Sequence, residues 1–345
     1  MAEAAVSTII PTYNRADFIG RAIESVLAAC NDGDEIIVVD DGSTDNTLQA
    51  IEQFRDRITV VQIPRSGAGA ARNAGIRQAR NDLIAFLDSD DEWNPDKLRI
   101  QKALMRKEPD IVFSFSDFAA TDESGTEYHG NVAGWSGDNR EWSEILDERR
   151  ELHVPNLSTS HSEPIEYYTG SMYLPEMTAS YVAAITLMVR RSAAGDAFEF
   201  AEDLPLYEDW YCAGRLSGKG TAAFLNIETA WQRASAKDRL THAGSLQMSE
   251  ARIAVLERVW GRDQSFLKIH GEQYRSTLAV VRQELVKDLI LDKQYERARK
   301  ELSLIESSPL SLRALLSLPD WSIGPVMRLK SIGRRAGRSP AAAVQ

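Results

Sequence analysis

Ile36-Ile37-Val38-Val39 runs directly into Asp40-Asp41-Gly42-Ser43, and Leu83-Ile84-Ala85-Phe86-Leu87 runs into Asp88-Ser89-Asp90-Asp91. Short apolar runs of this kind, bounded by turn residues and separated by helical patterns, read as buried parallel strands. Open α/β sheets bind ligands at the carboxyl ends of such strands, where both acidic groups fall. Gathered carboxylates repel one another unless a cation joins them. In an extended segment residues two apart face the same way, so Asp88 and Asp90 can both point into one site. Hard carboxylate oxygens select Mg²⁺ or Mn²⁺, ions that usually bring a substrate phosphate with them.

Working outward, Val6 to Ile10 reads as a first strand ended by Pro11, followed by a helix from Phe18 to Ala29 with Asp17 as its cap. Glu35 to Val39 is the second strand, Ser43 or Thr44 caps a helix reaching Phe54, Ile58 to Ile63 is the third strand, and Leu83 to Leu87 the fourth. A Gly/Ala-rich turn and helix, 67–80, precedes that fourth strand, and a further helix spans Lys97 to Lys107. Alternation of this sort predicts an α/β fold with a mostly parallel, Rossmann-like sheet and helices on both faces. Asp110 to Ser116 reads as another strand, after which residues 118–170 show no sustained period and read as a functional loop region. Ala183 to Arg190 is strand-like, Glu208 to Leu216 helical, and 246–317 a series of helices. The expected organisation is 1–117 and 118–243 as two halves of one domain, 244–322 as a helical extension, and 323–345 as a tail.

The chain has 345 residues and a formal net charge of −11, which argues against a nucleic-acid partner, since that binding rests on phosphate neutralisation by Lys and Arg. The tail differs: from Gly324 onward Arg328, Lys330, Arg334, Arg335 and Arg338 meet no acid. Residues 325–335 read either as a solvated terminus or as a short amphipathic helix lying on an anionic membrane. Cys30 and Cys212 are the sole cysteines, too few for a disulfide framework or a Cys-based zinc site. Without a signal peptide or a spanning segment in the sequence, a cytoplasmic protein is expected, peripheral at the inner face of the membrane if the tail binds there.

Each motif has a plain alternative. Asp88-Ser89-Asp90-Asp91 is also an acceptable polar loop, although an EF-hand is excluded because Trp93 occupies the position that needs Gly. Asp40 and Asp41 also suit an Asx turn. Gly67-Ala-Gly69-Ala-Ala-Arg72-Asn73 can cradle a phosphate at a helix start, with the Arg72 guanidinium helping, or can supply small residues for close packing. As a dinucleotide fingerprint it lies in the wrong βα unit and ends in Arg. Glu208-Asp209-Trp210 opens a helix, where acids suit the dipole regardless of function. Aromatics from Trp135 to Tyr181 suit either sugar stacking or packing. The five His residues form no metal-ligand spacing.

Taken in order, Val6-Ser-Thr-Ile-Ile-Pro-Thr-Tyr-Asn14-Arg15, Val38-Val-Asp-Asp-Gly-Ser-Thr-Asp45, Gly69-Ala-Ala-Arg-Asn-Ala-Gly75, Phe86-Leu-Asp-Ser-Asp-Asp91 and Glu208-Asp209-Trp210 resemble family 2 of the inverting glycosyltransferases, with the GT-A fold and members in bacterial glycan biosynthesis. The resemblance is strong over 5–117, moderate over 180–243 and absent beyond. It implies that Pro11 and Tyr13 line the base pocket of a nucleotide-sugar donor, that Asp41 hydrogen-bonds the base, and that Arg72 lies near the diphosphate. It further implies Asp88 near the ribose or donor sugar, Asp90 as ligand to Mn²⁺ or Mg²⁺, and Asp209 as general base. Glu208, one residue away on the same helix, is expected to cap or to pair with a base such as Arg215 or Arg233. The implied reaction moves one sugar, from a UDP-sugar by default, to a hydroxyl of a glycan, a lipid-linked acceptor or a protein. Members often carry a His downstream of the base where this chain has Ser235, with Arg239, Thr241 and His242 close behind. That departure leaves open a rival, a nucleotide-sugar-binding protein of the same fold without transfer activity.

Overall fold

The computed structural model describes residues 4–122, 124–158, 164–233, 244–306 and 308–323. The chain forms two compact units, Met1–Thr241 and His242–Gln345. Residues 325–335, Ser235, Arg239, Thr241 and His242, singled out above, lie outside the described residues.

In the first unit the described strands are β1 Val6–Thr12, β2 Glu35–Asp40, β3 Thr59–Gln62, β4 Leu83–Phe86, β5 Glu92–Trp93, β6 Phe113–Thr121, β7 Glu127–Tyr128, β8 Glu148–Leu152, β9 Ile165–Gly170, β10 Met188–Arg190 and β11 Ala222–Arg233. They make one sheet in the order β3-β2-β1-β4-β10-β6-β11-β9-β8, with β5 paired to β11 and β7 to β6. Pairings from β3 through β4 are parallel, as is β6 with β11. β10 is antiparallel to both β4 and β6, so it joins two parallel sets that point the same way. The carboxyl ends of β1, β2, β4, β6 and β11 therefore share one edge of the sheet, and the site is built there.

The parallel strands are buried on both faces: Ile9, Ile37, Val38, Ile84 and Phe86 are inaccessible to solvent. The helix Ile19–Ala29 covers one side with Ile19, Ala22, Ile23 and Val26 at i, i+3, i+4 and i+7. Helix Ala68–Gln78 approaches closely through glycines. A Cβ on Gly75 would stand 2.4 Å from Ile9 Cγ2, and one on Gly69 2.4 Å from the Ala201 carbonyl oxygen. Lys97, fully buried, donates from Nζ to Gln101 Oε1 and the Thr186 carbonyl, tying the helix Lys97–Lys107 to the chain before β10. Burial pushes its ammonium well below the ordinary lysine range.

Several sequence expectations shift. Pro11 does not end β1 but pairs with Val39, because a proline needs only to lack a ladder donor and one more residue, Thr12, still registers with Asp40. Asp17 does not cap the helix that begins at Ile19, whose first turn closes on the Arg15 carbonyl instead. Ser43 does not cap either: its hydroxyl accepts from Asn14 N, and the short helix Thr47–Ile51 starts beside Asp45, which accepts from Thr47 N. The expected strand at 110–116 begins later, at Phe113, and runs on to Thr121. The stretch 118–170 is more regular than its composition suggests, supplying β8 and β9 to the sheet. β11, twelve residues and the longest strand described, is absent from the sequence reading.

The second unit holds helices Ser245–Val259, Gln264–Leu291, Tyr295–Ser303 and Leu310–Leu316. Val281, Leu285, Leu289 and Ile290 are buried along one stripe of the longest helix, with Leu278 half-buried beside them, as the periodicity predicts. Among the described residues no helix is long and apolar enough to cross a membrane.

Candidate active site

The ends of β1 and β2 are stitched together before any ligand is considered. Asn14 adopts a left-handed conformation (φ 51°), which asparagine tolerates, and from there its Oδ1 accepts from Thr44 N at 2.8 Å while its own N–H donates to Ser43 Oγ at 3.0 Å. Pro11 is buried and Tyr13 half-buried in front of this seam. Asp41, 2% exposed, has its carboxylate engaged by the loop ahead of helix Ala68–Gln78: it accepts from Ser66 N (2.6 Å) and Gly67 N (2.9 Å) and pairs with Arg65. The Arg65 guanidinium in turn lies 3.7 Å from the centroid of the Tyr13 ring. Asp41 thus occupies the amino end of the helix that the Gly-rich motif opens, and Gly69 serves close packing on Ala201.

Arg72 is the centre of the site. Its side chain is 5% exposed, and it bridges two elements far apart in sequence: Nη1 donates to Glu208 Oε1 at 2.6 Å and Nη2 to Asp88 Oδ1 at 2.7 Å. Burial alone would weaken the guanidinium's hold on its proton, but Asp88, Glu208 and Asp209 outweigh it and keep Arg72 charged. Its Nε–H is buried without a partner. Glu208 therefore pairs with Arg72, not with the bases expected from sequence: Arg215 binds Glu199 and Arg233 binds Glu92. The expected pairing assumed a partner near in sequence, and the true one, on helix Ala68–Gln78, is 136 residues away in the chain.

Asp209 is half-buried beside this pair. Burial, with repulsion from Glu208 behind it, pushes its carboxyl up to about 7, against the pull of Arg72 and a hydrogen bond from Trp210 N at 2.8 Å. The helix that carries it is fixed from both sides. Trp210 Nε1 donates to the Glu176 carbonyl at 2.8 Å, and Tyr207, immediately before Glu208, sits at φ 62°, ψ 24°, a strained conformation for a bulky residue. Asn73 clamps the approach: its Nδ2 donates to the Phe200 carbonyl and to Glu202, and its Oδ1 accepts from Phe200 N. Position in the motif singles out Arg72, and nothing in the sequence spacing shows that the neighbouring Asn73 grips a segment 127 residues away.

The three carboxylates after β4 have separate fates. Asp88 reaches Arg72, Asp90 lies 3.5 Å from Arg15 Nε with 12% of its side chain exposed, and Asp91, 2% exposed, turns inward to accept from Arg233 N at 2.9 Å. Residues 88–91 form a turn, with Asp91 N donating to the Asp88 carbonyl at 3.1 Å, so the alternation expected of an extended segment does not hold there and Asp88 and Asp90 meet different arginines. Among the described residues no three His, Cys, Asp or Glu side chains form a metal cage. The donor set instead fits a cation delivered on a phosphate, which takes one or two carboxylates from protein and the rest of its oxygens from ligand and water.

With this geometry in place, comparison with known proteins is decisive for the fold. Residues 7–175 match the family model described as glycosyl transferase family 2. Among curated relatives, the UDP-Glc:alpha-D-GlcNAc-diphosphoundecaprenol beta-1,3-glucosyltransferase WfaP of Escherichia coli is 39% identical over 115 residues, 33% of this chain and 45% of WfaP. The curated relatives it matches are covered over less than half their own length. Among solved structures, S. aureus TarS 1-349 superimposes with a TM-score of 0.58 at 18% identity, covering 97% of this chain and 93% of that one. The same protein has been solved in complex with UDP-GlcNAc, where the TM-score is 0.55. The mannosyltransferase PcManGT of Pyrobaculum calidifontis, in complex with GDP-Man and Mn²⁺, gives a TM-score of 0.52 at 15% identity, covering 95% of this chain and 81% of that one. The fold is GT-A, with a C-terminal helical region.

Proposed function

We propose that this chain, which belongs to glycosyl transferase family 2 through residues 7–175, transfers a single sugar from a nucleoside-diphosphate sugar to an acceptor hydroxyl with inversion at the anomeric carbon. The observation that carries the proposal is the Arg72 bridge, which brings Asp88 from the end of β4 and the Glu208-Asp209 pair to one point on the carboxyl edge of the sheet. The donor is a UDP-sugar by default, supported by the UDP-GlcNAc complex of TarS. The acceptor is a glycan, a lipid-linked saccharide or a protein. WfaP, whose name gives a diphosphoundecaprenol-linked GlcNAc as its acceptor, supports the lipid-linked class.

Pro11 and Tyr13 line the base pocket, and Asp41 meets the base while holding the Ser66–Gly67 turn. Arg72 is charged, buried and left with one unpaired N–H, which suits it to the region of the diphosphate. Asp88, fixed by Arg72, faces the ribose or donor sugar. Asp90 holds Mn²⁺ or Mg²⁺, an ion that when bound stabilises negative charge on the leaving diphosphate. Asp209 takes the proton from the attacking hydroxyl. Its neighbour Glu208 cannot serve, since its carboxylate is committed to Arg72 and successive helical residues point about 100° apart. A base raised to about 7 is well matched to this task, because it is about half ionised at neutrality, largely ionised above it, and basic enough to drive the transfer. Attack from the face opposite the diphosphate inverts the centre.

Calorimetric titration with UDP, GDP, dTDP and CMP, each with and without Mn²⁺, tests the donor half of this reading. Binding of one nucleoside diphosphate, strengthened by Mn²⁺ and weakened in Asp90→Asn, is expected. Binding of none removes it.

A further inference from the structure

Glu176 is fully buried, titratable and unused by the reaction drawn above. It belongs to the short helix Tyr173–Thr178, which packs along the helix that carries the base. The fit is close at the far end of that contact, just past Ser217, where a Cβ on Gly218 would stand 3.2 Å from Tyr173 Cε2. At the near end the helices are joined by the hydrogen bond from Trp210 Nε1 to the Glu176 carbonyl, and Trp210 N donates at 2.8 Å to Asp209 Oδ1. Beyond Thr178 the chain turns back and meets the Glu176 carboxyl, whose two oxygens lie 3.3 and 3.4 Å from Tyr181 N, with Val182 N reaching the same group. A line of hydrogen bonds therefore runs from Asp209 through Trp210 and Glu176 to the segment that enters β10.

A buried carboxylate is normally paired with a cation or held by several short N–H bonds. Among the described residues no Lys, Arg or His offsets the burial of Glu176, and the N–H contacts from Tyr181 are long. The Tyr181 hydroxyl is turned away to Asp138 and Arg140. The charged neighbour that acts on Glu176 is Asp209. Burial, helped by that charge and opposed by the Tyr181 and Val182 N–H groups, pushes the Glu176 carboxyl well above the ordinary range. Two ionised carboxylates here would repel where water does not screen them, whereas one neutral and one charged do not.

We propose that Glu176 is a positioning residue for the base: it ties the helix that carries Asp209 to the chain entering β10. It does so as an uncharged group, which leaves Asp209 free to carry the negative charge on this side of the site. The inference rests on the reading of Asp209 as general base. A base must stand within hydrogen-bond reach of the hydroxyl it deprotonates, so a displacement of its helix by about 1 Å is felt in turnover. Pro11, Tyr13, Asp41 and Asp88 sit at the carboxyl ends of β1, β2 and β4 instead, so donor affinity and turnover separate.

Infrared difference spectroscopy and donor kinetics on the full chain test this. At pH 8 the wild type is expected to show the C=O stretch of a protonated carboxyl, on the high-frequency side of the amide I band, and E176Q to lack it. UDP release from UDP-glucose, UDP-N-acetylglucosamine and UDP-galactose with Mn²⁺ and water as acceptor, beside calorimetric titration with UDP, reads turnover and donor affinity separately. E176A should lower kcat by about 10²-fold with UDP affinity unchanged. E176Q, which keeps both shape and neutrality, should restore wild-type kcat and the rise toward a plateau above about 7. Wild-type kcat in E176A overturns the tie, as does absence of the infrared band. E176Q as slow as E176A also overturns it, since the acid itself would then be at work. If E176A does not fold, E176Q and the band decide alone. A wild type that binds UDP but releases none from these donors strikes the transferase reading instead; the band and the melting temperatures of E176A, W210F and the double variant then decide, additive losses refuting the tie.

Discussion

Replacing Arg72 by Met keeps much of the volume and removes the charge that three carboxylates share. Arg72 Nη1 and Glu208 Oε1 stand 2.6 Å apart with side chains 5% and 8% exposed, so this pair is desolvated; Asp88, at 36%, remains partly screened. Breaking a buried pair by removing one partner costs about 3–5 kcal/mol, nearly all of it from the Glu208 side here. For a unit of this size each kcal/mol moves the melting temperature by about 2–4 °C, so a fall of roughly 10 °C is expected at pH 8. The pH dependence identifies the cause. Asp209, at about 7 in the folded protein against 3.8 when unperturbed, is held down by Arg72 and rises further without it. A carboxyl raised on folding makes the native state bind more protons than the unfolded one, so stability is full below pH 4 and is lost as pH climbs through the folded value. The variant should therefore lose most at pH 8 and recover much of the difference near pH 5. Differential scanning calorimetry at both pH values provides the measurement. A destabilisation equal at the two would show that Arg72 acts through packing alone and would refute the electrostatic account.

Asp209→Asn should keep UDP affinity while kcat falls by ~10²–10⁴, and the rise of wild-type kcat/KM with pH toward a plateau above about 7 should vanish with it. The same variant removes an acid that destabilises the fold when ionised, so it should melt higher than wild type at pH 8 and equally at pH 4; the reverse order would contradict the raised carboxyl. Asp90→Asn should lower turnover by ~10², and near-normal activity at saturating Mn²⁺ would remove the metal assignment. Gly69→Ala would put a Cβ 2.4 Å from the Ala201 carbonyl oxygen, which cannot yield without moving the segment leading to Asp209; a loss of about 1–3 kcal/mol is expected, and an unchanged melting temperature would show that the contact relaxes freely.

The parallel half of the sheet was legible because its strands hold short continuous apolar runs ending in turn residues: Ile36–Val39 and Leu83–Phe86 announce themselves. β11 was not, because Asn226, Glu228 and Thr229 interrupt its apolar pattern at the bulge, and β8, written Glu-Arg-Arg-Glu-Leu, lies at a sheet edge with its charges in solvent. At the site, motif order pointed to Arg72, Asp88, Asp90 and Asp209, and the structure brings Arg72, Asp88 and the Glu208-Asp209 pair together. Partnership across the chain was out of reach: that Arg72 takes Glu208, that Asp91 takes Arg233 N, and that Asn73 holds Phe200 all depend on tertiary distance, for which local sequence carries no signal.

The central claim is that Asp209 drives a sugar transfer with inversion, and following donor consumption by proton NMR tests it most directly. UDP-glucose, UDP-N-acetylglucosamine and UDP-galactose, all α-linked, are each incubated with the protein and Mn²⁺, and the anomeric signal of the first-formed sugar product is read before mutarotation. The account predicts a β-configured product from one of these donors, absent when Asp209→Asn replaces the wild type. An α-configured first product, or equal turnover by the Asp209→Asn variant, would contradict it.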